Sequence, residues 1–124
     1  MKALLIVAHG SRRETSNEEV RQITRQVSQI AGDQFGLVIS GFLELVEPSI
    51  PDGIQNCIDS GATEVVVLPY FLSAGRHVVE DVPADIRRAQ DRNPDIRIIQ
   101  ASYLGSATGV GELLLGLAKD AGRS

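Results

Sequence analysis

The fold is decided by residues 64–78, where a strand-like segment runs into a long loop: Glu64-Val65-Val66-Val67-Leu68-Pro69-Tyr70-Phe71-Leu72-Ser73-Ala74-Gly75-Arg76-His77-Val78. Three consecutive valines at 65–67 predict a buried strand, because β-branched side chains pack well on a pleated surface. Pro69 fits near the end of that strand, where a missing backbone N–H costs least. His77, one of two histidines in the chain, then lies in the loop after Gly75.

The start of the chain repeats this arrangement of strand, glycine and histidine. Residues 3–8 read Ala-Leu-Leu-Ile-Val-Ala and lead into His9, the other histidine, and Gly10. A continuous apolar run of this length suits a parallel strand that is covered on both faces. Further apolar runs at 37–42 and 96–101 predict a second and a fourth strand around the third strand at 64–70.

Helical spacing of apolar residues follows each predicted strand. The first helix is expected to start at Thr15 or Ser16 and to end at Gly32, and the second opens at Pro48 or Pro51. The third begins between residues 78 and 83. The last helix carries an apolar stripe with a helical period: Val110, Leu113, Leu114 and Leu117. Four β-α repeats predict a single α/β domain over residues 1–124. We expect a flavodoxin-like, open four-stranded parallel sheet in the order 2-1-3-4, with helices on both faces.

Composition narrows the possible functions. The 124 residues fit one domain, and 12 Lys and Arg against 16 Asp and Glu leave no basic stripe for nucleic acid. Cys57 is the only cysteine, which rules out a disulfide or a Cys-based metal site within one chain. The first apolar run is too short to cross a bilayer and lacks a small-residue cleavage site, so we expect a cytoplasmic protein without membrane association.

The predicted topology brings the two histidines together. In an open parallel sheet, ligands bind beyond the carboxyl ends of the strands, where the strand order reverses. For the order 2-1-3-4 that point lies between the first and third strands, which His9 and His77 follow. Glu44 and Glu47 follow the second strand at the same edge. We therefore expect the two imidazoles to face each other across a crevice with a carboxylate nearby.

Two imidazoles and a carboxylate suit a divalent cobalt, iron, nickel or zinc ion, and they could equally accept protons from a substrate. Arg12, Arg13 and Arg76 flank the predicted crevice and could bind anionic groups. Ser11 beside His9 would suit a hydrolase, but the chain lacks a G-x-S-x-G elbow. Nucleotide-binding G-x-G-x-x-G and G-x-x-x-x-G-K-[ST] motifs are absent from the expected positions.

Three groups of residues carry a family resemblance: Ala8-His9-Gly10-Ser11-Arg12, Phe42-Leu43-Glu44 with Glu47-Pro48-Ser49-Ile50, and Pro69-Tyr70-Phe71-Leu72 with Gly75-Arg76-His77-Val78 and Glu80-Asp81-Val82-Pro83. Together they resemble the sirohydrochlorin chelatase family, in particular its short, single-domain, cobaltochelatase-like form. The resemblance extends over nearly the whole chain and implies a chelatase-like fold of the flavodoxin type.

The resemblance also implies an activity and a site. It implies a type II chelatase, a lyase that inserts Co²⁺, Fe²⁺ or Ni²⁺ into sirohydrochlorin without ATP, in cobalamin or sirohaem synthesis. The metal would be a substrate, and no permanent cofactor is expected. His9, His77 and Glu44 are the implied catalytic and metal-binding residues, with Glu47 as the alternative acid. The tetrapyrrole is expected to contact Ser11, Arg12, Arg13, Phe71, Leu72, Gly75 and Arg76. Because larger relatives carry two such domains in one chain, the resemblance implies a homodimer.

Other functions stay open at this point. A non-catalytic metal or tetrapyrrole carrier could use the same two histidines. A histidine phosphatase or mutase is disfavoured because those enzymes use Arg-His-Gly, whereas Ala8 precedes His9 here. A purely structural or interaction domain would leave the two crevice histidines without a role. Histidine and carboxylate ligands accept cobalt, iron and nickel alike, so the residues alone do not choose the metal.

Overall fold

A computed structural model describes residues 1–123 of the chain, and Ser124 lies outside the described residues. The strands and helices alternate as predicted: β1 (Lys2–Ala8), α1 (Glu14–Ala31), β2 (Leu37–Phe42), α2 (Ile50–Asp59), β3 (Glu64–Pro69), α3 (Val82–Arg92), β4 (Arg97–Gln100) and α4 (Gly109–Ala121). Short 3₁₀ turns lie at Gly32–Gln34 and Leu104–Ser106. A π-helical turn at His77–Asp81, which the sequence pattern does not predict, leads into α3.

The four strands form one parallel sheet in the predicted order β2-β1-β3-β4. Near the carboxyl end of the sheet, Val7 of β1 pairs with Gly41 of β2 on one side and with Pro69 of β3 on the other. The strand order reverses between β1 and β3, so the loops after these two strands border a crevice at this edge. The histidine-bearing loops after β1 and β3 are therefore neighbours.

One face of the sheet carries the main core. Helices α2 and α3 pack on this face, and its fully buried side chains include Leu5, Ile54, Val67 and Val82. Burying one such side chain contributes about 1.5–3 kcal/mol. A Cβ on Gly53 would lie 2.9 Å from Leu5 Cδ1, so glycine at this position lets α2 approach the sheet closely.

Helix α1 covers the opposite face over β2 and β1. Paired positions of a parallel sheet point to the same face, so Val66, Leu68 and Ile99 extend this face beyond α1. These three side chains are only half-buried. Helices therefore occupy both faces as predicted, but the α1 face is less completely covered over β3 and β4.

Helix α4 forms where the sequence predicts a last helix, but the rest of the domain does not cover its apolar stripe. Leu113, Leu114 and Leu117 are 61–68% exposed. The 3₁₀ turn that precedes α4 is anchored to the loop after β3, because Gly105 N–H donates to the Phe71 carbonyl over 3.0 Å. The helix extends from that turn without packing on the sheet. Within residues 1–123, no helix combines the length and apolar character that a membrane crossing requires.

Candidate active site

The loop after β1 places His9 by a close approach to the loop after β2. Hydrogen bonds between the two segments continue past the strand ends, with Glu44 N–H donating to the His9 carbonyl over 3.1 Å. Gly10 has a φ of +93°, and a Cβ there would lie 2.0 Å from the Glu44 carbonyl oxygen. Only glycine fits this position without strain. As a result, the Glu44 carboxylate lies 3.8 Å from Nδ1 of His9.

Asn17, in the first turn of α1, holds the same loop through its side-chain amide. Its side chain accepts a hydrogen bond from Ser11 N–H over 2.9 Å and donates to the Ser11 carbonyl over 2.8 Å. Asn17 is 2% exposed, and it also donates to the Glu14 carboxylate. One buried amide thus fixes the chain two residues after His9. The sequence does not predict this role, because a single asparagine in the first turn of a helix has no pattern that distinguishes it.

The loop after β3 places His77 through its own side chain. Nδ1 of His77 lies 2.6 Å from Oδ2 of Asp81, four residues later in the π-helical turn. The Phe71 ring stacks on the imidazole, with ring centroids 6.2 Å apart and planes inclined by 29°. Phe71 also packs against the main core, so it connects His77 to a fixed part of the domain.

The two imidazoles meet across the crevice, as predicted. Their ring centroids are 5.0 Å apart, and the rings meet edge to face at 67°. They line an open cavity of about 430 Å³ together with six other residues: Leu43, Glu44, Asp81, Ala84, Asp85 and Arg88. Three carboxylates against one guanidinium favour a cation in this cavity. Asp85 and Arg88 form an ion pair on α3, and no motif or spacing in the sequence points to either residue.

The other predicted substrate contacts lie outside this cavity. Ser11 Oγ accepts from Arg13 N–H over 3.0 Å, and both Arg12 and Arg13 are exposed. Arg76 is exposed and its Nε lies 3.6 Å from a Glu80 carboxylate oxygen.

Leu72 is 72% exposed, and its backbone packs against Gly105. The Gly75 carbonyl accepts from Val78 and Val79 N–H. Ser11 and Phe71 line a second, smaller cleft of about 230 Å³. His9 lines both this cleft and the larger cavity between the two imidazoles. Glu47 is exposed and precedes Pro48, and it does not line either of these cavities. The tetrapyrrole contacts of the seven predicted residues stay predictions, and so does the role of Glu47 as the alternative acid.

No three His, Cys, Asp or Glu side chains in residues 1–123 are arranged so that they could hold a metal ion together. His9 and His77 form a facing pair, and Glu44 lies beside the first of them. The predicted three-residue metal set of His9, His77 and Glu44 stays a prediction that needs side chains to move. Cys57 lies in the core, and burial raises the pKa of its thiol to about 11, so it remains a protonated core residue.

The sequence profile of the CbiX family matches residues 3–121. The chain belongs to the CbiX family. Its relatives include a sirohydrochlorin cobaltochelatase of Methanococcus maripaludis, which is 39% identical over 83 residues, or 67% of this chain and 56% of that protein. A sirohydrochlorin cobaltochelatase of Saccharolobus islandicus is 30% identical over 121 residues, which cover 93% of this chain and 91% of that protein. The sequence-based resemblance to sirohydrochlorin chelatases is confirmed.

Solved structures of the sirohydrochlorin chelatase SirB share this fold. The SirB of Bacillus subtilis subspecies spizizenii in complex with cobalt has a TM-score of 0.85 at 33% identity, over 96% of this chain and 50% of that one. SirB from Bacillus subtilis with Fe³⁺ has a TM-score of 0.83 at 30% identity, over 98% of this chain and 47% of that one. This CbiX-family chain therefore spans about half the length of SirB.

Proposed function

We propose that this CbiX-family protein inserts Co²⁺ or Fe²⁺ into sirohydrochlorin without ATP, in cobalamin or sirohaem synthesis. The observation that carries the proposal is the pair of imidazoles, 5.0 Å apart at the crevice of the sheet, in a cavity with an excess of carboxylates. Relatives named for cobalt and for iron insertion support both metals. Insertion of Ni²⁺ and a cytoplasmic location stay predictions.

In this mechanism His9 and His77 bind the incoming metal ion and replace part of its water shell. Imidazole nitrogens suit borderline divalent metals, and an open site leaves positions for the nitrogens of the tetrapyrrole. Two of the four inner nitrogens of the free tetrapyrrole carry a proton, and each of these must lose it as its bond to the metal forms. The Glu44 carboxylate beside His9 is positioned to accept these protons, and an imidazole can accept one after its free nitrogen has released the metal. The products are the metallated tetrapyrrole and two protons.

The tetrapyrrole is larger than the space that one chain encloses. A cavity of about 430 Å³ lies near the lower end of the range for pockets that enclose a drug-sized ligand. The macrocycle would therefore lie over the open crevice, with its carboxylates at the rim. Arg88 lines the cavity and is a candidate contact for one carboxylate, while the exposed Arg12, Arg13 and Arg76 would act farther out.

A homodimer is the second part of the proposal. The chain spans about half of SirB, and α4 exposes Leu113, Leu114 and Leu117 along one helix. Exposed apolar side chains in such a row are typical of an interaction surface. A second copy of the chain would cover this helix and enlarge the crevice. Light scattering should give the dimer mass for the wild type and for Lys119→Ser, and the monomer mass for Leu114→Ser/Leu117→Ser. A monomeric wild type would contradict the dimer.

An absorbance assay tests the activity. Sirohydrochlorin is mixed with Co²⁺ or Fe²⁺ in separate reactions, and a catalytic amount of protein is added. The proposal predicts many turnovers per protein molecule above the spontaneous rate with at least one metal. The carrier alternative predicts a change that stops at one equivalent of protein. No acceleration with either metal would contradict the chelatase proposal.

Glu44→Gln separates proton transfer from metal binding. The amide keeps the size of the side chain but loses the basic carboxylate. We expect a fall in the insertion rate that exceeds the fall in Co²⁺ affinity. Equal losses in both would place Glu44 among the metal ligands. The same substitution at Glu47, which does not line the cavity, serves as the comparison and decides which glutamate is the active-site acid.

A further inference from the structure

Asp81 holds His77 in one orientation before any substrate binds. Oδ2 of Asp81 lies 2.6 Å from Nδ1 of His77, a distance typical of a strong, charge-assisted hydrogen bond. A carboxylate accepts hydrogen bonds and does not donate them, so the imidazole must carry its proton on Nδ1. Its other nitrogen, Nε2, then carries the free electron pair of the neutral ring.

We propose that Asp81 is the positioning residue of His77, which fixes the Nδ1–H tautomer and leaves Nε2 to act on the metal. This arrangement is the one that metal-ligating histidines generally need, since a carboxylate on the second ring nitrogen orients the ring and raises its basicity. Asp81 touches His77 and is not itself required to touch the metal. The proposal rests on the proposed function for the role of Nε2, whereas the tautomer itself follows from the contact alone.

The backbone around Asp81 supports this role. The π-helical turn is closed by a hydrogen bond from Val82 N–H to the His77 carbonyl. Val78 and Val82 are 8% and 0% exposed, so the turn is anchored in the core on both sides of Asp81. Single π-helical turns are frequent at functional sites. Here the turn holds the carboxylate within reach of the ring.

The neighbouring carboxylates have other partners. Glu80 lies 3.6 Å from Arg76, and Asp85 pairs with Arg88. Asp81 occupies the N-cap position of α3, yet its side chain makes no capping hydrogen bond. A capping role would require its oxygens to accept from the first N–H groups of α3. The carboxylate bonds to His77 instead, which favours a positioning role over a purely structural one.

The tautomer is measured directly by ¹⁵N NMR of histidine-labelled protein without metal, at about pH 8, where an ordinary imidazole is neutral. Wild type should show His77 with a protonated Nδ1 and an unprotonated Nε2. Asp81→Ala should lose this preference. Asp81→Asn should retain much of it, because the amide oxygen can still accept from Nδ1–H. Asp91→Ala, on the exposed side of α3, is the control and should leave the spectrum unchanged.

Metal binding and turnover complete the test. Asp81→Ala should weaken Co²⁺ binding or slow insertion about 10–100-fold, and Asp81→Asn should lose less. Thermal unfolding of both variants checks that the fold survives. An Nε2–H tautomer in wild type, or an unchanged spectrum in Asp81→Ala, would overturn the proposal. Absence of insertion in wild type with the Nδ1–H tautomer present would instead contradict the proposed function and still support the Asp81 assignment.

Discussion

The two histidine loops reach the same crevice by different means. The loop after β1 fixes its backbone: Gly10 fits against the Glu44 carbonyl and buried Asn17 binds Ser11. The polar contacts of the His9 imidazole are long, 3.4 Å to the Gly10 carbonyl and 3.8 Å to the Glu44 carboxylate. The loop after β3 fixes its side chain: His77 bonds to Asp81 while the preceding residues 72–76 are exposed. His9 is therefore held through its backbone, and His77 through its imidazole ring.

This difference assigns different roles to the two imidazoles. An imidazole with few ring contacts can turn to follow a metal ion, whereas one fixed by a carboxylate presents its nitrogen in a constant direction. Substitutions that disturb the backbone of the first loop should therefore affect stability and activity differently from substitutions that remove side-chain contacts in the second.

The largest effect is expected from removing either imidazole. His77→Ala and His9→Ala should each lower the insertion rate at least about 100-fold, because each removes a metal ligand and a proton acceptor. Both side chains are about half-exposed, with His9 50% and His77 42% accessible, and neither belongs to the core, so the unfolding transition should change little. Steady-state absorbance and thermal unfolding measure the two quantities. Turnover near the wild-type rate for either variant would remove that residue from the mechanism.

Gly10→Ala tests whether the first loop depends on its backbone conformation. The added Cβ would lie 2.0 Å from the Glu44 carbonyl oxygen at a φ of +93°. Strain and overpacking together should lower the free energy of unfolding by about 2–6 kcal/mol. Gly75→Ala is the matched variant of the other loop, where nothing lies within 4 Å of the new Cβ. Urea unfolding should show a large loss for the first and little change for the second. Equal losses would mean that the loops are equally tight.

Asn17→Ala should have an intermediate effect. It leaves the backbone N–H and carbonyl of Ser11 without their buried partner. The expected loss is about 1–3 kcal/mol of unfolding free energy, together with slower insertion because His9 is no longer held in place. Thr24→Val, the other buried polar position of α1, removes one local hydrogen bond and should slow insertion far less. Insertion at the wild-type rate by Asn17→Ala would show that the loop does not need this anchor.

The smallest effect is an acid dependence at Glu14, the first residue of α1, whose carboxylate accepts from the Asn17 amide that holds the first loop. The hydrogen bond from Arg21, followed by that from Asn17, holds the pKa of Glu14 below its ordinary value of 4.5. A carboxylate with a lowered pKa in the folded state contributes stability above its unfolded pKa and loses it as the pH falls through the folded value.

Glu14→Gln should therefore be slightly less stable than wild type at pH 7. The difference should disappear in acid, below the lowered pKa. Urea unfolding at both pH values measures it, and a difference that grows in acid would contradict the assignment. Because the Glu14 side chain is 71% exposed, the effect at neutral pH should be small.

The sheet order and the meeting of the two histidines could be predicted because they follow from topology. Alternating apolar runs fix a parallel sheet, and the order 2-1-3-4 places the loops after β1 and β3 side by side whatever their detailed conformation. The contribution of Asp81 depends on a π-helical turn, and that of Asn17 on one buried amide. Neither has a periodic signature, so the sequence pattern did not reveal them.

The position of α4 could not be predicted for a different reason. Its leucine spacing marks an apolar face but does not say what covers that face. The arginine that lines the cavity could not be predicted either. Charge and proximity in sequence pointed to Arg12, Arg13 and Arg76, whereas it is Arg88 of α3, eleven residues after His77, that lines the cavity.

We expect His9 and His77 to act as one unit on the metal, and a double-mutant cycle tests this most directly. Insertion of Co²⁺ into sirohydrochlorin is followed by absorbance for wild type, His9→Ala, His77→Ala and the double variant. Residues that act as a unit show strongly non-additive losses, so the double variant should be about as slow as either single variant. A double loss equal to the product of the two single losses would contradict a shared site.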